Sequence, residues 1–166
     1  MKKLFLALMM MLPMAAMAQA KFGHVNSAEI MQAMPEYSKA RTEIETLQNQ
    51  YEADLKLMQD ELQKKGEAFE KEQATLPENI KQRRQQELQD MYQKIQQSYQ
   101  DNQQALQKAQ QERFQAITTK IVDAIKKVGE AGGYVYIMDL TAGIPYISTT
   151  LSTDVTTQVK AQLGLK

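Results

Sequence analysis

The chain has 166 residues, with 20 Lys and Arg against 20 Asp and Glu, one His and no Cys. That balance lacks the basic footprint of a nucleic-acid binder, and the missing thiols exclude disulfides, cysteine nucleophiles and an acylated cysteine anchor. Catalysis has as little to stand on: there is no metal-ligand cluster, no cofactor motif and no Ser-His-acid arrangement, only carboxylates spread over polar helices.

Residues 1–20, "MKKLFLALMMMLPMAAMAQA", join a basic start at Lys2 and Lys3 to an apolar run from Leu4 to Leu12 and the small-x-small ending Ala18-Gln19-Ala20. This pattern predicts a secretory signal peptide cleaved after Ala20, with an apolar run far short of the roughly twenty residues a spanning helix needs. Taking Lys2 and Lys3 from the 20 basic residues leaves 18 against 20 acidic, so the mature chain is close to neutral.

Lys21 to Val25 can form a short strand, and Asn26 with Glu29 three positions on makes a capping-box start for a helix. That helix is brief, because Pro35 pushes Met34 out of helical geometry while suiting the first turn of a new helix itself. From Glu36, the residues Ile44, Leu47, Tyr51, Leu55, Met58 and Leu62 recur in steps of three or four, and Phe69 continues the seam. The triplet Ile44/Leu47/Tyr51 returns as Leu55/Met58/Leu62, an eleven-residue period that favours a straight or slightly right-handed coil. Gly66 in mid-arm marks either a hinge or a tolerated local weakness. "ATLPENIKQRR" interrupts the helix around Pro77, which predicts a hairpin tip near residues 75–79. Lys81, Arg83 and Arg84 beside it are candidates for contact with a client or an anionic lipid, or simply a solvated helix start.

A second long helix carries Ile80, Leu88, Met91, Ile95, Tyr99, Leu106, Phe114, Ile117, Ile121, Ile125 and Val128 as its stripe, with Gly129 and then Gly132-Gly133 expected to end it. Each arm of roughly forty residues is about 60 Å long. Tyr134 to Met138 then reads as a short buried strand, Asp139 to Gly143 as a turn, and Ile144 to Ser148 as a further strand entered by Pro145. "STDVTTQVKAQLG" closes the chain as a helix capped by Ser152 or Thr153 and ended by Gly164. His24, the sole histidine, sits in a strand without companions for metal binding and takes a structural role.

Tyr134-Val135-Tyr136-Ile137-Met138 is apolar at every position, so both faces of that strand call for cover. A few short strands in one chain leave open edges, which predicts an oligomer sharing one strand body. "FGHVNS" with "MPEY", and "GYVYIMD" followed by "DVTTQV", resemble the Skp (OmpH-like) family of periplasmic outer-membrane-protein chaperones, over essentially the whole mature chain. The resemblance implies a mainly α fold with a small β body. A long α-helical coiled-coil hairpin, the tentacle, projects from short strands that form an intersubunit β-barrel in a homotrimer.

By that resemblance the body comprises residues 21–35 and 129–166, with the arm at 36–128. Phe22, Val25, Tyr134, Tyr136, Ile137, Met138, Tyr146 and Ile147 serve assembly, and Ile44, Leu47, Tyr51, Leu55, Met58, Leu62, Leu88, Met91 and Ile95 the arm seam. The implied activity is that of an ATP-independent periplasmic holdase for unfolded outer-membrane proteins, non-enzymatic and without cofactor or nucleic acid. The chain departs from the strongly basic members of that family: around the tip six basic residues face five acidic ones, which predicts at most weak contact with a membrane surface. A periplasmic coiled-coil adaptor or structural spacer docking another envelope protein is the competing reading.

Overall fold

The computed structural model describes residues 20–165; apart from Ala20, the predicted signal peptide lies outside them. The fold is mainly helical with a small strand body. In chain order it comprises β1 (Lys21–Val25), α1 (Ser27–Ala33), α2 (Pro35–Glu72), α3 (Glu78–Gly132), β2 (Tyr134–Asp139), a 3-10 turn (Leu140–Ala142), β3 (Ser152–Asp154) and α4 (Thr156–Gln162). These elements divide between two compact units. One, the body, runs up to Ile30 and resumes at Ile121; the other, the arm, is Met31–Lys120.

The body sheet has the order β2-β1-β3, and both pairings are parallel. Parallel neighbours cannot be joined by a tight turn and need a crossover of a dozen residues or more. Here three helices intervene between β1 and its neighbour β2, and residues 140–151 then carry the chain from β2 to β3 on the opposite edge of β1. Phe22 pairs with Tyr136 and Ser152, and His24 with Met138 and Asp154, so these six share one face. Gly23 and Val25 lie on the other, opposite Ile137 and Asp139. The fully buried side chains of this unit are Val25, Ile30, Ile121, Val155 and Val159, with Ala124 nearly so.

Several local features differ from the sequence expectation. Ile144 to Ser148 is irregular chain, not a strand, and the third strand is Ser152–Asp154. Pro145 has no N–H to give a ladder, whereas Val155 N–H donates to His24 O at 2.9 Å and extends the β1–β3 pairing. Ser152 and Thr153 therefore belong to β3 and cap nothing. The Asp154 carboxylate accepts from Thr156 N–H at 2.8 Å instead. Gly129 stays inside α3, which continues to Gly132; one interior glycine costs only about 1 kcal/mol. The chain leaves the helix at Gly133, where φ is +66°, a conformation open to glycine at little cost. Gly132 before it is favoured for a different reason: a Cβ there would stand 2.4 Å from the Tyr134 ring.

At α1, Glu29 N–H donates to Asn26 Oδ1 at 3.1 Å, as a cap should. The reciprocal half of the capping box is absent, because Asn26 N–H donates to Thr156 Oγ1 and Glu29 Oε1 accepts from Lys160. Pro35 opens α2 behind an extended Met34, with φ −78° and ψ 125°, the geometry that a following proline imposes.

The arm unit is an antiparallel pairing of α2 with α3. Glu36 meets Lys120 at 3.0 Å, Glu43 meets Arg113, Lys65 meets Glu87, and Glu72 meets Arg84 at 3.9 Å. Tyr37 and Phe114 pack with ring centres 5.7 Å apart. Intrahelical amide-to-carboxylate bonds such as Gln63–Glu67, Gln86–Asp90 and Gln97–Asp101 line the outer surface and support each helix locally.

Candidate functional site

Two surfaces stand out, one in each unit. In the body, the face of the sheet that carries Phe22, Tyr136 and Met138 is, among the described residues, bordered by the 144–151 segment but left largely open. Phe22 stacks on Tyr136 with centroids 4.8 Å apart. Together with Met138, Ile144, Tyr146, Ile147 and Leu151 they line an apolar groove of about 300 Å³. Tyr136 is 46% exposed, Leu151 68% and Tyr146 80%, a concentration of accessible apolar surface that single scattered residues would not create.

Five of the eight residues expected to serve assembly, Phe22, Tyr136, Met138, Tyr146 and Ile147, therefore meet at one groove. The other three lie elsewhere. Val25 is buried in the core of its own body, and Ile137 and Tyr134 are half-buried beside Gly23, where an added Cβ would stand 3.1 and 3.2 Å from them. Among the described residues, Tyr134, Ile137 and Asp139 of β2 are half-buried, while Val135, Tyr136 and Met138 are exposed.

The body is fastened by a polar arrangement that the hydrophobic pattern does not reveal. Asp139, at the end of β2, accepts from Ser27 N–H and Ser27 Oγ, and from Thr141 N–H and Thr141 Oγ1. Asp154, at the end of β3, accepts from Thr156 N–H and Thr156 Oγ1, and Thr156 Oγ1 in turn receives Asn26 N–H at 3.0 Å. The junction Asn26-Ser27, where β1 passes into α1, is held from both flanking strands.

Burial opposes the charge on Asp139, but the hydrogen bonds from Ser27 and Thr141 outweigh it and hold the carboxyl below its ordinary value. At Asp154 the Thr156 hydroxyl is the main lowering cause, against burial and with help from Thr156 N–H and His24. His24 Nδ1 lies 2.8 Å from Ser152 Oγ. Both clasps are Asp-x-Thr triplets, "DLT" and "DVT", in which an Asp binds its own backbone two residues on. That repeated triplet was the available sequence signal.

In the arm, Ile44 and Ile95 are buried, whereas Leu47, Tyr51, Leu55, Met58, Leu62, Leu88 and Met91 are all half-buried. After Ile44 no side chain of α2 is fully buried until Phe69, and on α3 none between Ile95 and Ile117. Tyr99, expected in the stripe, is 54% exposed, because its ring borders a notch in place of a core. This notch, of about 350 Å³, lies between Gln48, Tyr51, Glu52 and Leu55 on α2 and Tyr99, Asn102, Gln103 and Leu106 on α3.

Near the tip Lys81 and Arg84 are half-buried and Arg83 is exposed. Arg84 already faces Glu72 at 3.9 Å. Lys65 lies against Glu87 and 3.5 Å from Glu61; Glu87 raises the Lys65 pKa, and Lys65 lowers that of Glu87. Part of the basic charge here is matched within the hairpin. Among the described residues no helix is long and apolar enough to cross a membrane, and no group of three or more His, Cys, Asp or Glu could hold a metal ion.

The profile of a known family, Outer membrane protein (OmpH-like), matches residues 21–163. A crystal structure from Caulobacter crescentus CB15, described as that of a candidate outer membrane chaperone (OmpH-like), superposes with a TM-score of 0.75 at 17% identity. The match covers 88% of this chain and 85% of that one. No curated protein matches the chain by sequence.

Proposed function

Because the chain belongs to the OmpH-like outer membrane protein family, we propose that it is a chaperone of the periplasm. In this reading it is an ATP-independent holdase that receives unfolded outer-membrane proteins between helical arms and keeps them from aggregating on the way to the outer membrane. It works without catalysis, cofactor or nucleic acid, with at most weak contact with a membrane surface, after a leader has directed its export. Three copies join through their strand bodies.

The observation that carries this reading is the largely open apolar face of the body sheet around Phe22, Tyr136 and Tyr146. Apolar surface of this kind gains about 25 cal/mol per Å² when removed from water, and the open edges of β2 and β3 offer further pairing. An assembly of several bodies brings several arms together. Each arm offers half-buried side chains in place of one deep pocket. Contacts that are weak singly add through high effective concentration, and such contacts let go when the client's own folding competes. Unfolded outer-membrane strands, with alternating apolar and polar residues, are suitable cargo.

Native mass spectrometry of the mature protein tests this, alone and after dilution of a urea-unfolded outer-membrane barrel into it. A trimer that takes up one barrel and keeps it soluble is the expected result. A species that ignores the barrel would turn the assignment to a coiled-coil adaptor or spacer that docks another envelope protein.

A further inference from the structure

The arm is held together unevenly. Charged pairs join its helices at Glu36–Lys120 and Glu43–Arg113, and again at Lys65–Glu87 and Glu72–Arg84. Between these two groups the described residues include no ion pair from one helix to the other, and full burial is limited to Ile44 and Ile95, with none at the eight residues around Tyr51 and Tyr99. What lies there is the notch whose apolar lining is Tyr51, Leu55, Tyr99 and Leu106. Its apolar groups are in place but lack a partner.

The rim has its own character. Asn102 and Gln103 present carboxamides, each with two N–H donors and a carbonyl acceptor, and Glu52 is the one charged residue, its carboxylate already accepting from Gln48 at 2.8 Å. Along α3 the run from Gln96 to Gln107 contains a single charge, Asp101, which is bonded to Gln97. Such a rim selects neither sign of charge; it matches uncharged peptide groups, which likewise donate and accept. The space, about 350 Å³, suits a few side chains.

We infer that the Tyr51–Tyr99 notch is a client subsite that takes one extended segment of an unfolded barrel protein. Alternate apolar side chains of the segment enter between the two tyrosines while its backbone bonds to the Asn102 and Gln103 amides. The inference rests on the holdase reading and sharpens it, by placing client contact in the middle of the arm and away from the basic tip. Tyrosine suits such a subsite, because a large rigid ring with only two side-chain torsions to immobilise gives contact area at low entropic cost.

The test places p-benzoylphenylalanine, a photo-crosslinking aromatic close in shape to tyrosine, at position 99 and separately at 92 in the mature chain. Tyr92 is equally exposed, at 56%, but does not line the notch. With a urea-unfolded barrel as probe, the label at 99 should form client adducts about tenfold more readily than the label at 92. A Tyr51→Ser/Tyr99→Ser variant should lose capture about tenfold, with arm helicity by circular dichroism unchanged. Equal labelling at both positions while the wild type still captures the barrel would overturn the notch and leave the holdase standing. Protomer-to-protomer adducts at 99 without client would assign the notch to another copy and overturn it too. A wild type that captures nothing would overturn both readings.

Discussion

The body and the arm use their polar groups in opposite ways. In the body, Asp139 and Asp154 reach residues more than a hundred positions away along the chain, directly at Ser27 and through Thr156 at Asn26, and short elements bury Ile30, Val155 and Val159 completely. In the arm, carboxylates bind mostly neighbours four residues away or the facing helix, at exposed positions, and most of the seam is only half-buried. Long-range bonds at fixed sites tie the body's separate elements to one another. Local bonds that recur turn after turn support each arm helix by itself and leave the seam's apolar surface partly accessible.

The largest effect that would break this contrast belongs to the open sheet face. Tyr136→Asp places a charge among Phe22, Met138 and Tyr146, and burying an unpaired charge is strongly unfavourable. Loss of the oligomer in native mass spectrometry is the expected outcome; an intact trimer would show that this face is not where bodies join.

Next comes the arm seam. Replacing Leu55, Met58 and Leu62 together with Gln removes three half-buried apolar side chains, a loss of about 1 kcal/mol each and about 3 kcal/mol in all. The arm's helical signal should melt earlier, and unchanged melting would mean that the seam does not hold the hairpin.

Asp139→Asn sharpens the other side of the comparison. It keeps the shape but withdraws charge from the bonds with Ser27 and Thr141. The cost is about 1.5 kcal/mol, below the range for fully buried charged bonds because the carboxylate is partly open to water. The pH dependence has a definite sign. Folded-state pKa values of Asp139 and Asp154 are lowered, so their contribution is fully present above the unfolded value of about 3.9 and is lost as pH falls through the folded values. Denaturant melts between neutral pH and pH 3 should therefore show acid weakening of the body, and less of it in Asp139→Asn.

The smallest effect is at Gly66. A Cβ there meets open space and the residue is helical, so Gly66→Ala should stabilise the arm by about 1 kcal/mol. If client capture then falls while the helix strengthens, Gly66 is a hinge. If capture is unchanged, it is a tolerated weakness.

Legibility follows the same division. The 3.6-residue period of Ile44, Leu47 and Tyr51, and Pro35 with its effect on Met34, predict α2 well, because helix formation depends on neighbours along the chain. Ile144 to Ser148 reads as a strand by composition, yet the run is irregular. Its apolar content resembles that of Tyr134 to Met138, but Pro145 lacks the N–H of a ladder residue and only the earlier run finds a ladder partner. Tyr99 fits the stripe by spacing, but spacing says which face a side chain occupies and not whether anything lies opposite it.

The amino-acid sequence by itself determined the two long helices, the break between them, the strands β1 and β2 on either side of the helical run, and the family likeness in "VNS", "YIMD" and "DVTTQV". The helices, the break and the strands are consequences of local propensity and periodicity, whereas the likeness rests on residue-by-residue resemblance at the two ends. Tertiary structure alone decided that all three strands run parallel with β1 in the middle. It also decided that the two Asp-x-Thr triplets clasp Asn26-Ser27 and that the facing tyrosines border an unfilled notch. Those facts depend on which distant residues become neighbours, and no repeat along the chain encodes that.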